Sequence, residues 1–243
     1  MKAYAVIPAR GGSKRILRKN IKIFNGKPLI HWTISNLISY EIFDEIIVST
    51  DDKEIADLCK VFNIRVLGNR PANLSDDSTS ILPVIKYVLN DDLKVVDSKD
   101  HVICIYPSAV LLEKSDLMGA KELFMKTKDK FIIAATEYSH PIQRSFRIDQ
   151  DKGLIPSNPG FIQQRTQDLE SYFHDAGQFV WGDKRLWNSS NSILENAAAI
   201  AIPNSRIQDI DTPEDWKIAE IMHRIGFAYL HTKKSENELG ETF

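Results

Sequence analysis

Ala3-Tyr-Ala-Val-Ile-Pro8 is an apolar run that passes straight into Ala9-Arg10-Gly11-Gly12-Ser13-Lys14-Arg15, and this junction of strand and basic glycine loop sets the fold. A short apolar stretch bounded by Pro and Gly suits a buried strand. The loop continues through Arg18-Lys19-Asn20 to about Ile21, and Gly26-Lys27-Pro28-Leu29 closes it. Two adjacent glycines let backbone amides approach phosphate oxygens, while Arg10, Lys14 and Lys19 offer charge-assisted hydrogen bonds. The spacing is neither GxGxxG nor GxxxxGK followed by Ser or Thr. The dinucleotide fingerprint and the P-loop are both unsupported, which argues against a dehydrogenase or an ATPase.

The cations are local. Residues 1–40 hold no Asp or Glu and eight Lys and Arg, so residues 41–243 carry −10 against an overall formal charge of −2. Seven of the eight lie between Arg10 and Lys27. A cluster so placed, directly after a strand, suits a compact polyanion better than a long nucleic-acid backbone. A solvated basic loop is the plainer alternative.

Outward from this loop, Pro28 fits the first turn of a helix reaching about Tyr40, with Leu29, Ile30, Thr33, Ile34, Leu37 and Ile38 on one face. The pattern then alternates. Strands are expected at Glu45–Thr50, Ile64–Leu67, His101–Tyr106 and Phe131–Thr136. Helices are expected at Asp52–Phe62, capped by its aspartate, at Thr79–Leu89, and from a Ser115 cap to about Lys126. Strand-like segments return at Gln178–Gly182 and Ala198–Pro203, and a last helix runs from Pro213 to about Ile225. Such alternation gives an α/β fold, a mostly parallel sheet covered by helices on both faces, with ligands outside the carboxyl ends of the strands.

Between His140 and Phe173 the alternation fails, with Pro141, Pro156 and Pro159, β-like pieces such as Ser145–Ile148, and a polar Gln163–Gln167 run. Residues 140–173 therefore read as an inserted arm that covers the site or exchanges contacts with a second subunit, and a homodimer is expected. The organisation is a single domain over residues 1–232, with a flexible tail at 233–243.

The chain has 243 residues, 43% hydrophobic and 26% charged, the balance of a globular protein with one full core. Its longest apolar runs, such as Phe131–Ala135 and Ala197–Pro203, fall far short of the ~20 residues of a membrane span. The apolar start is brief, contains Pro8 and meets a basic cluster, unlike an export signal, so the cytoplasm is expected. Cys59 and Cys104 are too few for a disulfide framework or a zinc site and read as core, and the six His lack metal-ligand spacing. The four Trp read as packing residues.

A second constellation is Gln208-Asp209-Ile210-Asp211-Thr212-Pro213-Glu214-Asp215. Carboxylates at i and i+2 of an extended segment point to one side, and two oxygen ligands facing bound phosphates suit Mg²⁺, which keeps its other positions for water and substrate. Thr212, Pro213 and Asp215 equally form a helix cap. Cap and metal site remain alternatives on these residues alone, although the cap leaves Asp209 and Asp211 without a role.

The Ile7–Arg15 loop, with Arg18-Lys19-Asn20 and Gly26–Leu29, resembles the nucleotide loop of the sugar-acid cytidylyltransferases, which activate nine-carbon keto-sugar acids with CTP. Phe43–Asp51, Arg70–Asp77 and Asp209–Thr212 resemble further signatures of that family, and the likeness spans residues 2 to about 222. The resemblance implies a three-layer, Rossmann-like sheet of the nucleotide-diphospho-sugar transferase type with a small β-rich dimerisation arm. It implies that Ala9, Arg10, Gly11, Ser13, Lys14, Lys19 and Asn20 line the nucleotide site, with Arg70 and Ser80 at the cytosine. It also implies Mg²⁺ on Asp209 and Asp211, and a catalytic set of Arg10, Lys19, Asp209 and Asp211.

Around Arg165–Glu170 and His174–Gly182 the sequence is most similar to the pseudaminic acid branch, which implies a sugar pocket using Tyr106, Arg144, Arg165, His174, Asp175 and Gln178. His174-Asp175 also admits a general-base reading, His oriented by Asp. One feature departs from the family: relatives place a second proline after the central strand, where this chain has Tyr106-Pro107-Ser108-Ala109-Val110. Neuraminate, legionaminate and ketodeoxyoctonate enzymes share the loop and the carboxylates, so they are the rival readings, beside a non-catalytic CTP-binding module.

Overall fold

In the computed structural model, which describes residues 1–76, 78–92, 97–127 and 129–240, the opening apolar run becomes β1 (Ala3–Pro8) inside a seven-stranded sheet. Ala5, Val6 and Ile7 are fully buried, so both faces of the strand are covered. Beyond the basic loop, β2 (Ile23–Phe24) and β3 (Lys27–Pro28) form a two-residue ladder that leads into α1 (Leu29–Tyr40). Gly26 makes its turn with φ +92°, a conformation open to glycine. The buried stripe of α1 is Leu29, Ile30, Thr33, Ile34 and Leu37, while Ile38, expected on that face, is 42% exposed.

β4 (Glu45–Ser49), α2 (Lys53–Cys59) and β5 (Arg65–Leu67) follow the expected order, and the Asp52 carboxylate caps α2 by accepting from Ile55 N at 3.0 Å. α3 (Ile81–Tyr87), β6 (His101–Ile105), α4 (Lys114–Thr127) and β7 (Phe131–Glu137) come next. At α4 the flanking residue is Glu113, whose N–H donates to Asp116 of the first turn at 3.0 Å; Ser115, expected as the cap, lies inside the helix with its hydroxyl on Glu113. The arm is a hairpin of β8 (Phe146–Asp149) and β9 (Gly153–Pro156), separate from the main sheet. The chain closes with β10 (Phe173–Asp183), α5 (Lys184–Ser189), β11 (Ala197–Ala201) and α6 (Pro213–Gly240).

The strand order is β11-β7-β10-β6-β1-β4-β5, and β10 alone runs antiparallel to its neighbours. It begins five residues before the expected Gln178, because the exposed, polar start Phe173–Asp175 pairs with Glu137–Ala135 ahead of an irregularity at Gly177, φ +60°. α6 continues past the expected end at Ile225; residues 233–240, expected as a tail, extend it, and 241–243 lie outside the described residues. Their Lys, Glu and Leu content favours helix.

The main core contains Cys59 and Cys104, both fully buried, and burial pushes the Cys59 thiol up to about 12. A second cluster joins Ile16 and Phe24 of the basic loop to Val110, Ile210 and Trp216, with Phe24 edge-on to Trp216 at 5.3 Å. It fastens the loop to α6 and to the segment before it. No helix among the described residues is long and apolar enough to cross a membrane.

Candidate functional site

At the carboxyl ends of β1 and β4 the basic loop meets a pair of acids. Gly11 N donates to Asp51 Oδ1 at 3.1 Å, and Arg18 forks onto the Asp52 carboxylate and Glu54. Glycine is required at position 11 by this close approach: a Cβ there would overlap the Asp52 carboxylate. Arg18 itself sits in the left-handed region at φ 55°. Fully buried Ala9 donates its N–H to Ser49 O at 2.9 Å, and Ser13 N donates to Gly11 O at 3.1 Å. Asn20 is buried and donates to Arg10 O at 2.9 Å, so its side chain braces the loop from beneath.

Not all seven loop cations face one ligand. Lys27 lies 3.7 Å from the Trp32 ring centroid and Lys22 4.6 Å from that of Trp216, so both pack on aromatic faces. Arg70, 6% exposed, is set beside the loop by hydrogen bonds from Nε to Ser75 Oγ (3.0 Å) and from its guanidinium to Ser49 O (3.3 Å) and Asp51 (3.4 Å). Burial lowers its pKa, and Asp51 opposes the shift. Ser80 occupies the cap position of α3, exposed and without a side-chain cap bond.

The second wall is the segment before α6. Ile210 is fully buried, so Asp209 and Asp211 on either side of it face a common cavity of about 390 Å³ shared with Thr136, His174, Asp175 and Asn204. Lys19 binds the two walls together, its Nζ 2.7 Å from Ile210 O and 3.6 Å from Asp211 Oδ1; Arg15 reaches Asp211 at 2.8 Å. The segment is pinned at both ends. Upstream, Arg206 makes a bidentate pair with buried Asp116 at 2.6 and 2.8 Å, and its own carbonyl accepts from Gln178 Nε2 at 2.9 Å. Downstream, Asp215 accepts from Thr212 N (2.7 Å) and Asp211 N (3.2 Å) while its own N donates to Thr212 Oγ1 (3.2 Å), a reciprocal helix cap.

Asp209 opens onto the cavity, yet the protein behind it and the neighbouring Asp211 raise its carboxyl above the usual range, against the pull of Lys19 and Arg15. Among the described residues no three His, Cys, Asp or Glu form a ready-made metal cage. Two hard oxygen donors on one side nevertheless fit a divalent cation completed by phosphate and water, and a cation would relieve the repulsion that raises Asp209.

The residues expected at the sugar pocket divide. His174 and Asp175 line the cavity, but His174 Nδ1 meets the Asp175 carbonyl at 2.9 Å while the Asp175 carboxylate accepts from Gly177 N at 2.8 Å, so no His–carboxylate dyad forms. The Tyr106 hydroxyl is held above its ordinary pKa by burial and then by Cys104, Asp175 and Asp209. Gln178 is buried beneath the site, its amide nitrogen committed to Arg206. Arg144 and Arg165 stay in the arm, donating to Thr166 Oγ1 (3.1 Å) and Asp168 (2.7 Å). The loop lacking the second proline is held from α1 instead: Thr33 Oγ1 donates to Pro107 O at 2.8 Å and Tyr40 to Leu112 O. Thr136 and Asn204 carry no motif, and only the order of the strands brings them to the cavity; Arg206 carries none either and acts from outside it, on Asp116.

Residues 4–152 match the cytidylyltransferase family. The pseudaminic acid cytidylyltransferase of Campylobacter jejuni subsp. jejuni serotype O:2 is 38% identical over 226 residues, covering 93% of this chain and 97% of that protein. The CMP-N,N'-diacetyllegionaminic acid synthase of Legionella pneumophila subsp. pneumophila is 28% identical over 228 residues, 90% of this chain and 95% of the relative. A solved structure of CMP:2-keto-3-deoxy-manno-octonic acid synthetase complexed with CTP shares the fold, with TM-score 0.67 at 18% identity over 92% of this chain and 99% of the other. A near full-length match at this identity, on a loop and sheet of this design, establishes that the chain belongs to the cytidylyltransferase family of enzymes.

Proposed function

We propose that the protein transfers CMP from CTP to the anomeric hydroxyl of a nine-carbon keto-sugar acid, pseudaminic acid, and releases pyrophosphate. One observation carries the reading: Lys19 joins the phosphate-type loop to the Asp209–Asp211 carboxylates, so a triphosphate on the loop has its reacting end at the acids. The name of the Campylobacter jejuni relative supports the choice of sugar.

The sugar hydroxyl oxygen forms a bond to the α-phosphorus as the bond from that phosphorus to the pyrophosphate oxygen breaks, and the hydroxyl proton passes to water in the open cavity. The protein contributes alignment and charge neutralisation. The Gly11-Gly12 turn, with the Ser13 hydroxyl and Lys14, cradles phosphate; Arg10 and Lys19 neutralise the departing pyrophosphate; Arg70 and Ser80 face the base. Asp209 and Asp211 hold Mg²⁺, which when bound polarises phosphoryl oxygens and offsets the charge that develops on them. Tyr106, His174 and Asp175 bind sugar hydroxyls, and Arg144 or Arg165 pairs with the sugar carboxylate from the arm of a partner subunit. Exposed Phe146, Ile148 and Leu154 on the hairpin support a homodimer built through residues 140–173. We place the reaction in the cytoplasm, where CTP is made and where it serves the activation of sugars for glycan or flagellin glycosylation.

The test is pyrophosphate release from CTP and Mg²⁺ with pseudaminic, legionaminic and N-acetylneuraminic acids supplied separately. Release with pseudaminic acid in clear preference is expected. Preference for another acid reassigns the sugar, and silence with all three overturns the reaction.

A further inference from the structure

The cavity holds an amide whose orientation is fixed from beneath. Thr136, near the end of β7, is 1% exposed, so its hydroxyl proton must find an acceptor inside the protein. It donates to Asn204 Oδ1 at 2.7 Å. The flipped amide would present Nδ2 to that hydroxyl and strand the buried proton, a costly arrangement. Strand pairing puts His174 opposite Thr136 on one side, and Ile202 N, donating to Ala135 O at 2.8 Å, brings the Asn204 turn to the other. Nδ2 of Asn204 is left as a donor on a cavity wall, with no hydrogen-bond partner among the described residues.

The chemistry around it selects the acceptor. The same cavity is lined by Asp175, Asp209 and Asp211, so a further carboxylate beside Asn204, with no cation of its own, would add repulsion that a neutral carbonyl oxygen does not, and the carbonyl is the acceptor that suits the field. Ala176 and Ile207 add apolar wall for a small alkyl group. We propose that Asn204, oriented by Thr136, is a specificity-determining residue that donates to the carbonyl oxygen of an acylamido group on the sugar acid. The proposal rests on the sugar-acid reading of this cavity.

The experiment compares wild type, Asn204→Ala, Asn204→Asp and Thr136→Val on pseudaminic acid and on the nine-carbon keto-sugar acid that carries hydroxyls in place of the acylamido groups. The readout is the ratio of kcat/KM between the two sugars, with KM for CTP and the melting temperature followed in parallel. Both Asn204 variants are expected to lower that ratio about tenfold, the worth of one hydrogen bond, with KM for CTP unchanged. Thr136→Val, which frees the amide to rotate, should lower it less. A ratio unchanged in variants that melt like wild type overturns the proposal while leaving the reaction intact. Silence of the wild-type protein with every sugar acid overturns the parent reading, and the role of Asn204 falls with it.

Discussion

Asp211 meets Arg15 and Lys19 on one side and shares the cavity with Asp209 on the other, so its loss removes an anchor from both walls of the site. Asp211→Ala should lower turnover at least ~10²-fold, the scale of one transition-state stabilising group, measured as pyrophosphate release at saturating CTP. Near-normal turnover with unchanged Mg²⁺ dependence would remove this carboxylate from the mechanism. The pair was legible in the sequence because alternation along an extended segment needs no tertiary information, and buried Ile210 between the acids bears it out. Asn20 shows the opposite case. Its place in the motif suggested the nucleotide site, but the hydrogen bond from the Asn20 amide to the Arg10 carbonyl had no signal in the sequence, being set by how the loop packs.

The segment from Arg206 to Thr212 behaves as an element in its own right, clamped by the Asp116 pair at one end and the Asp215 cap at the other. Arg206→Gln should leave CTP binding intact yet raise the Mg²⁺ concentration for half-maximal activity several-fold, and weaken Mn²⁺ binding in a direct titration. Arg206→Lys, which keeps one contact to Asp116, should recover part of both. If Mn²⁺ binds Arg206→Gln as it binds wild type while only the melting temperature falls, the clamp serves the fold alone. Alternating strands and helices were readable from apolar periodicity, as was the break at the arm. The early start of β10 was not, because Phe173–Asp175 gain their strand conformation from pairing with β7 and expose their side chains. The Arg206–Asp116 pair lay equally out of reach, its partners being 90 residues apart on α4 and the loop after β11.

At the scale of the whole molecule, the packing of α6 on α1 and β2 makes stability depend on pH. His223 is 7% exposed, its ring centroid 4.3 Å from that of Trp32 and 5.4 Å from that of Phe24, and burial with Lys27 nearby brings its pKa down to about 4. The unfolded chain therefore binds the extra proton first as pH falls below about 6.5. Stability from this group is complete above that pH and declines toward pH 4, by at most about 1.4 kcal/mol per pH unit. His223→Phe should flatten this part of a urea-denaturation profile; an unchanged slope would assign the acid limb to other groups. The hairpin arm carries the proposed homodimer: Ile148 is 80% exposed, wild type is expected to scatter light as a dimer and Ile148→Asp as a monomer, and equal masses for the two would remove this face from the contact. Strand order, which decides that Thr136 and Asn204 share a cavity, has no local signature, whereas the basic loop and the carboxylates announce themselves by composition. The bond from Lys19 to the carbonyl of Ile210 spans 191 residues. On a ribosome adding roughly 5–20 residues per second, the basic loop is therefore made roughly 10–40 s before the acids it contacts. On the proposed mechanism, the growing chain holds its phosphate loop without the two carboxylates until residues 209–211 emerge, so turnover would wait for the end of synthesis.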